Sequence, residues 1–437
     1  MTSTVYEADW VVPVEGEPVP GGGVAVEEGR IVAVGPAEEL EGERRSFPDA
    51  VIVPGLVNAH SHLEYAVYAG FGDGFSFPPW IALHVTRKRR LLDGDAVAIA
   101  RLGAAECLRT GITTLADASF TGAAAPACAE LGVRAIVHLE VFGDDPGAAL
   151  ERFDALRETV AGSLSDRVRL GISPHAPYST SADVYAACAG LGLPLATHLA
   201  ESEAEHEWLL HGTGAMAEAE GIPIAPSRRT GVRLLAEHGV LTSSVLAAHC
   251  VHVDAEEVAL LAEHDVAVAH CPRSNAILGC GAAPLTELLA AGVRVGLGTD
   301  SPASTPSFDL FEELRTAVYA ARAREARADA LGAGEALELA TLGSARALGL
   351  DGEIGSLTPW KRADLTVLSL AGSPYLPWED AATAVVFGGS PERVLLTMTD
   401  GEPRYRKGGE TWPRPRLHSD AANARRRMLG LATPAAS

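Results

Sequence analysis

The 437-residue sequence has only six cysteines, at 107, 128, 188, 250, 271 and 280, and none of them forms a CxxC pair. Such sparse spacing excludes a disulfide framework and reads as reduced thiols in a cytoplasmic protein. No apolar run reaches the roughly 18 residues of a membrane-spanning helix, and the N-terminus lacks a basic stretch followed by an apolar one, so neither a membrane span nor a signal peptide is expected. Positive charge is also short: 35 Lys and Arg face 57 Asp and Glu, a net charge of -22. That balance argues against general nucleic-acid binding and against docking on anionic membranes, and favours solubility. No P-loop and no low-complexity segment of note occurs. Hydrophobic residues, at 47% against 21% charged, are enough for a large core, in one large domain plus a smaller one or in two to three average domains.

Short β-like runs at 10–14, 23–27 and 30–34 are separated by Gly-, Pro- and Glu-rich breaks. Between about 51 and 350, short apolar runs alternate with Ala/Leu/Glu/Arg segments of helical period, the pattern of βα units around a parallel sheet. The β-like pattern returns at 363–368, 384–387 and 394–398. The simplest reading is an α/β fold, a barrel inserted into a small β-domain made from both chain ends. Its boundaries fall at 1–52, 53–355 and 356–412, and residues 413–437 form a helix around 419–429 and a frayed tail.

The run at 51–57 leads into His60-Ser-His62. Side-chain direction repeats every two residues along an extended chain, so both imidazoles share one side. Two neutral imidazoles at a strand end suit a divalent transition metal, zinc above all. Seven later runs, at 113–116, 135–139, 168–173, 193–197, 245–248, 266–269 and 293–298, are likewise closed by titratable residues: Asp117, Glu140, His175, His198, His249, His270 and Asp300. Eight such strands predict a (β/α)8 TIM-like barrel, whose active-site face is formed by the C-terminal strand ends.

Pro54-Gly-Leu-Val-Asn-Ala-His60-Ser-His62, Thr197-His-Leu-Ala-Glu201, Ala248-His-Cys250, His270-Cys-Pro-Arg-Ser-Asn275 and Gly298-Thr-Asp-Ser301 together resemble the amidohydrolase superfamily. The match is to its mononuclear deaminase and chlorohydrolase branch, with adenosylhomocysteine/methylthioadenosine deaminases, aminodeoxyfutalosine deaminases and triazine hydrolases. The resemblance covers nearly the whole chain and implies a barrel with a small β-sandwich. It implies one divalent metal, Zn2+ with Fe2+ or Mn2+ as alternatives, held by His60, His62, His198 and Asp300. Three imidazoles and a carboxylate leave room for a water whose pKa the metal lowers towards about 7. Asp300 would also accept a hydrogen bond from that water. Glu201 matches the proton shuttle to the substrate ring nitrogen and leaving group, His249 the residue that orients the water, and His175 a substrate-binding histidine. His270, Asn275 and Ser301 would support the pocket floor. No lysine stands at the ends of the strands before His175 and His198, so a carboxylated-lysine binuclear centre is not expected.

The reaction implied is hydrolytic deamination of a nitrogen heterocycle, with C–Cl, amide or urea-type hydrolysis at the same centre as the alternative and a non-catalytic barrel scaffold as the alternative of another class. His-x-His-Leu-Glu is similar to aminodeoxyfutalosine deaminases, while Pro78-Pro79 stand before Trp80 where adenosylhomocysteine-type enzymes carry an acid for the ribose. Glu64 is therefore a candidate for hydrogen-bonding the substrate, and Phe71, Phe75, Phe77 and Trp80 for walling a flat ring. Arg87-Lys-Arg-Arg90 could attract a carboxylate-bearing substrate but reads first as a solvated helix face. Relatives imply a homodimer or higher homo-oligomer by analogy.

Overall fold

The computed structural model describes residues 3–219, 221, 223–376, 379–409 and 414–431. Its centre is a sheet of eight parallel strands paired in chain order: β1 (Leu56–Ser61), β2 (Ile112–Ser119), β3 (Arg134–Val141), β4 (Val168–Pro174), β5 (Leu195–Leu199), β6 (Val245–His249), β7 (Ala267–His270) and β8 (Arg294–Leu297). A parallel bridge between Ser61 and Asp300 joins the last strand to the first, and the Asp300 N–H donates to the His60 carbonyl at 3.0 Å. Helices cover the strands, which explains why most are buried along their whole length and read as apolar runs rather than alternating ones. Alanines of β1, β2, β5, β6 and β7 pack together with Leu246 in a separate cluster.

The apolar run at 51–57 is not one barrel strand. Residues up to Pro54 end the strand Glu43–Pro54 of a second sheet, antiparallel to Leu365–Ser369, and β1 begins only at Leu56. Gly55 makes the junction possible, because a Cβ there would lie 2.2 Å from Thr113 Oγ1. Both halves are fully buried, so hydrophobicity does not mark the break, whereas Pro54-Gly55 does.

The second sheet combines both chain ends in one mixed eight-stranded array. It curls over its own core of Val24, Ile31, Ile52, Leu365 and Met398, and backbone bonds from Ala363 N to Gly29 O and from Gly401 N to Ala363 O, both 2.9 Å, tie its ends together. The run expected at 10–14 lies in a strand that starts at Thr4 and stops at Val11. Residues 384–387 are helical, not extended: Asp380 caps Ala381–Gly388, accepting from the Ala382 and Thr383 amides. Periodicity cannot separate strand from helix over four apolar residues. The C-terminal helix, Arg414–Met428, begins earlier than 419 and buries Ala421, Ala424 and Met428 against Tyr68, Phe71 and Ile99. Arg425 holds the carbonyls of Val67 and Ala69, so this helix braces the loop after β1. The expected frayed tail at 432–437 lies outside the described residues.

A buried ion cluster couples barrel and sheet. Arg134, at the start of β3, reaches Asp364 at 3.1 Å and Asp400 at 2.6 Å, and Arg167 and Arg362 meet Asp400 at 2.8 and 3.0 Å. Burial raises the Asp400 carboxyl, but the guanidiniums outweigh it and hold it at about 2. The unfolded chain therefore takes the proton first as pH falls, and the stability Asp400 carries is complete above about pH 4 and lost between about pH 4 and 2. Discounted for partial solvent contact, that linkage is worth about 1–2 kcal/mol. Asp400→Asn should lower the melting temperature at pH 7, and in parallel thermal scans the gap to the parent protein should narrow below pH 4. A gap independent of pH would remove the charge from the explanation.

Candidate active site

The C-terminal strand ends converge on a cavity of about 700 Å³ lined by His62, His175, His198, Glu201, His249 and Asp300 among others. His60 lies directly beneath, its ring 4.9 Å from that of His62. His62 Nδ1 donates to the Ala118 carbonyl at 2.9 Å and His198 Nδ1 to the His175 carbonyl at 2.8 Å. These bonds put the proton of each neutral ring on Nδ1 and leave Nε2 as a lone pair. Burial keeps the rings neutral, with His62 lowered to about 3.

The two Nε2 atoms lie 3.1 Å apart. With both Nδ1 protons engaged, this is a meeting of lone pairs and not a hydrogen bond. Asp300 Oδ1 is 3.6 Å from His60 Nε2 and 3.5 Å from His62 Nε2, while its Oδ2 accepts from Ser274 and Ser304 at 2.7 and 2.6 Å. His60 Nε2 is buried with no partner. One ring nitrogen each of His60, His62 and His198 lies within 4.8 Å of the others, and so do donor atoms of His60, His249 and Asp300. Converging lone pairs, an orphaned imidazole nitrogen and an oriented carboxylate fit one divalent cation. Gly298 allows this closeness, since a Cβ there would lie 2.8 Å from His60 Cβ.

Glu201 sits in the tight turn after β5, where Ala200 has φ +53°. Glu205, one turn into the next helix, accepts from the Ala200 N–H at 3.1 Å and the Glu201 N–H at 2.8 Å and so pins that turn. Burial first, and then the charge of Asp300, push the Glu201 carboxyl well above its usual range. Its Oε1 is 3.7 Å from His249 Nε2. His249 ends β6 with φ +75°, and its Nδ1 donates to Asn275 Oδ1 at 2.9 Å, leaving an unpartnered buried Nε2. His175 pairs Nδ1 with Ser179 Oγ at 2.7 Å and lies against Phe142.

The other sequence candidates divide. Trp80 and Phe77 line the cavity, and the Trp80 indole N–H donates to the Ala303 carbonyl at 3.0 Å. Phe71 is buried between Arg87 and Arg425, and Phe75 is exposed. Glu64 does not line the cavity: it accepts from Ser119 Oγ at 2.5 Å and the Thr121 N–H at 3.0 Å. Asn275 stands behind His249, and it lines, with His270, a separate cavity of about 320 Å³. Ser301 reaches the main cavity.

Sequence reasoning named Glu140 as a polar strand end but gave it no role, and it assigned none to Lys88, Tyr65, Phe120 and Phe142, which line the cavity with it, or to Glu205, which pins the Glu201 turn. Lys88 was masked by the basic run 87–90, in which Arg89 and Arg90 are exposed while the Lys88 ammonium turns inward, hydrogen-bonds the Tyr65 hydroxyl and lies 3.8 Å from the Phe120 ring centre.

Residues 51–404 match the amidohydrolase family, and residues 22–43 match a bacterial imidazolonepropionase-like composite domain. A 5-methylthioadenosine/S-adenosylhomocysteine deaminase of Moorella thermoacetica is 34% identical over 411 residues, 91% of this chain and 93% of that one. A 5'-deoxyadenosine deaminase of Methanothermobacter thermautotrophicus is 33% identical over 366 residues, 82% of each chain. A zinc-bound crystal structure of an adenosine deaminase from Xanthomonas campestris superposes with a TM-score of 0.87 at 28% identity, over 98% of this chain and 99% of that one. Atrazine chlorohydrolase of Arthrobacter aurescens shares the fold, with a TM-score of 0.83 at 23% identity over 97% of this chain and 100% of the other. The likeness runs through both the barrel and the sheet that its two ends build, and the chain belongs to the amidohydrolase family.

Proposed function

We propose that this chain is a zinc-dependent aminohydrolase that removes the amino group from the adenine of a nucleoside and releases ammonia. The observation that carries the reading is the meeting of Glu201 and His249 at 3.7 Å beside the His60/His62/His198/Asp300 donor set, together with relatives named for adenine nucleosides. A divalent cation bound by those four residues supplies the Lewis acidity that makes water acidic near neutral pH.

The chain's own residues handle the protons. Hydrolytic deamination adds water across the ring C–N bond at the amino-bearing carbon and then expels ammonia, so the ring nitrogen and the departing amine must each gain a proton. Glu201, whose buried carboxyl favours the protonated form, gives a proton to the ring nitrogen, regains one from the attacking water, passes it to the amine, and is reprotonated by the added hydroxyl as that becomes the carbonyl and ammonia leaves. His249 presents its unpartnered Nε2 to the water or its oxygen, in a tautomer fixed by Asn275. Asp300 accepts from the water through Oδ1 while Ser274 and Ser304 hold Oδ2. Trp80, Phe77 and Phe142 exclude solvent and offer faces to a flat ring.

Asn275→Leu tests the support of His249: turnover should fall by roughly 10- to 100-fold at unchanged metal content. Retained turnover would make the bond to Asn275 merely structural.

The substrate class is an adenine nucleoside altered at the 5' carbon, and aminodeoxyfutalosine belongs to it. The test is ammonia release by zinc-loaded protein from methylthioadenosine, adenosylhomocysteine, 5'-deoxyadenosine, aminodeoxyfutalosine, adenosine, guanine, cytosine and a chlorotriazine. Ammonia from adenine nucleosides is the expected result. Silence towards all of them, with halide released from the triazine, would replace deamination by dechlorination.

A further inference from the structure

Glu140, at the end of β3, is 3% exposed and lines the cavity, yet no donor among the described residues hydrogen-bonds its carboxylate. One of its oxygens, a ring nitrogen of His175 and one of His198 lie within 4.8 Å of one another. A buried carboxyl with no donor is costly to keep ionised, and burial pushes that of Glu140 up to about 7, a cost that hydroxyl donors from a ligand would relieve. Arg152 lends it positive charge but no hydrogen bond, because the guanidinium Nε and Nη2 are held by the carbonyls of Glu140 and Phe120 at 2.9 and 2.6 Å. Across the same cavity Lys88 has a single hydrogen-bond partner, the Tyr65 hydroxyl, for three N–H donors. The cavity therefore carries an unmatched acceptor and an under-used donor.

A nucleoside of the class proposed above has few groups that can answer. Its adenine carries donors only on the amino group, which is the leaving group beside Glu201 and His249. Outside the 5' substituent, the remaining donors common to the class are the 2' and 3' hydroxyls of the ribose. Each hydroxyl both donates and accepts, so a vicinal diol matches a carboxylate and an ammonium together. We propose that Glu140 and Lys88 form the ribose subsite, Glu140 accepting from the 2' and 3' hydroxyls and Lys88 donating to them. This selects intact ribonucleosides over deoxyribonucleosides and free bases. The inference rests on the deaminase reading of the same site.

The test compares adenosine with 2',3'-dideoxyadenosine. The parent protein should favour adenosine in kcat/KM by roughly 100- to 10,000-fold. Glu140→Ala should bring the ratio within about tenfold, with little change for the dideoxy compound, and Lys88→Met should lower it less. A proportional loss for both nucleosides in Glu140→Ala would overturn the proposal, because a structural role does not discriminate between them. So would a second equivalent of zinc bound by the parent protein and absent from Glu140→Ala, which would make Glu140 a metal ligand. Calorimetric binding of the two nucleosides to zinc-loaded Glu201→Gln protein separates this proposal from the one beneath it. A diol preference that Glu140→Ala removes upholds the subsite even if the parent protein releases no ammonia. Equal affinities for the two compounds refute the subsite even if deamination is found.

Discussion

Glu201→Gln should lower deamination on the order of 1,000-fold or more at saturating substrate, with nucleoside affinity and metal content preserved. Glutamine keeps the size and the amide dipole but carries no transferable proton, so the variant isolates the proton relay. The scaffold should tolerate it. The turn bearing Glu201 is pinned through backbone N–H groups by Glu205, and among the described residues the 201 side chain makes no hydrogen bond that holds the fold. His249 Nε2 lies 3.7 Å from it. Removing a buried acid whose charged form is disfavoured should not destabilise the protein, and its melting temperature should stay the same or rise slightly. The readouts are kcat for ammonia release, affinity by calorimetry and metal content. A kcat within about tenfold of the parent would assign the relay to another group. A matching rise in Kd would make Glu201 a binding residue and not an acid–base one.

The residues around this relay were legible in sequence because barrel geometry converts chain order into spatial convergence, whereas Glu201, beyond the strand end, was assigned through the family resemblance. A polar residue that closes an apolar strand stands at the C-terminal face wherever it lies in the chain, so His60, His62, His175, His198, His249 and Asp300 could be read before any distance was known. The split of the run at 51–57 between two sheets was not legible from hydrophobicity, since both halves are buried, although Gly55 carried a hint. Glu64 was misread for a tertiary reason: its partners Ser119 and Thr121 come from the end of β2, 55 and 57 residues later. Lys88 was missed for the converse reason. A run of four basic residues implies a solvated face, but the helix Phe77–Lys88 borders the cavity, which Lys88 and its C-cap Arg89 both line. Strand ends are fixed by the architecture, whereas the loops above them depend on packing that periodicity does not encode.

Stripping the metal should abolish turnover, at least 1,000-fold below the loaded protein, and should also loosen the barrel. His62 Nε2 and His198 Nε2 are 3.1 Å apart with no proton between them, because Ala118 O and His175 O hold the Nδ1 protons. Two facing lone pairs repel, and burial opposes the obvious relief of protonating either ring. Only a cation makes the arrangement favourable, so the site is prepaid by the fold and recovered on binding. At a metal concentration about 1,000 times Kd, linkage gives about 4 kcal/mol of stabilisation, and chelation should lower the melting temperature by roughly 4–8 °C. One equivalent of zinc should restore both activity and melting temperature. His62→Ala should show the low melting temperature and no activity whether zinc is present or not, since it removes a donor and leaves the Ala118 carbonyl unpaired. Full activity in chelated protein with no metal detected by mass spectrometry would overturn the metal assignment. If activity returns with zinc while the melting temperature does not move, the repulsion argument fails and the catalytic one stands.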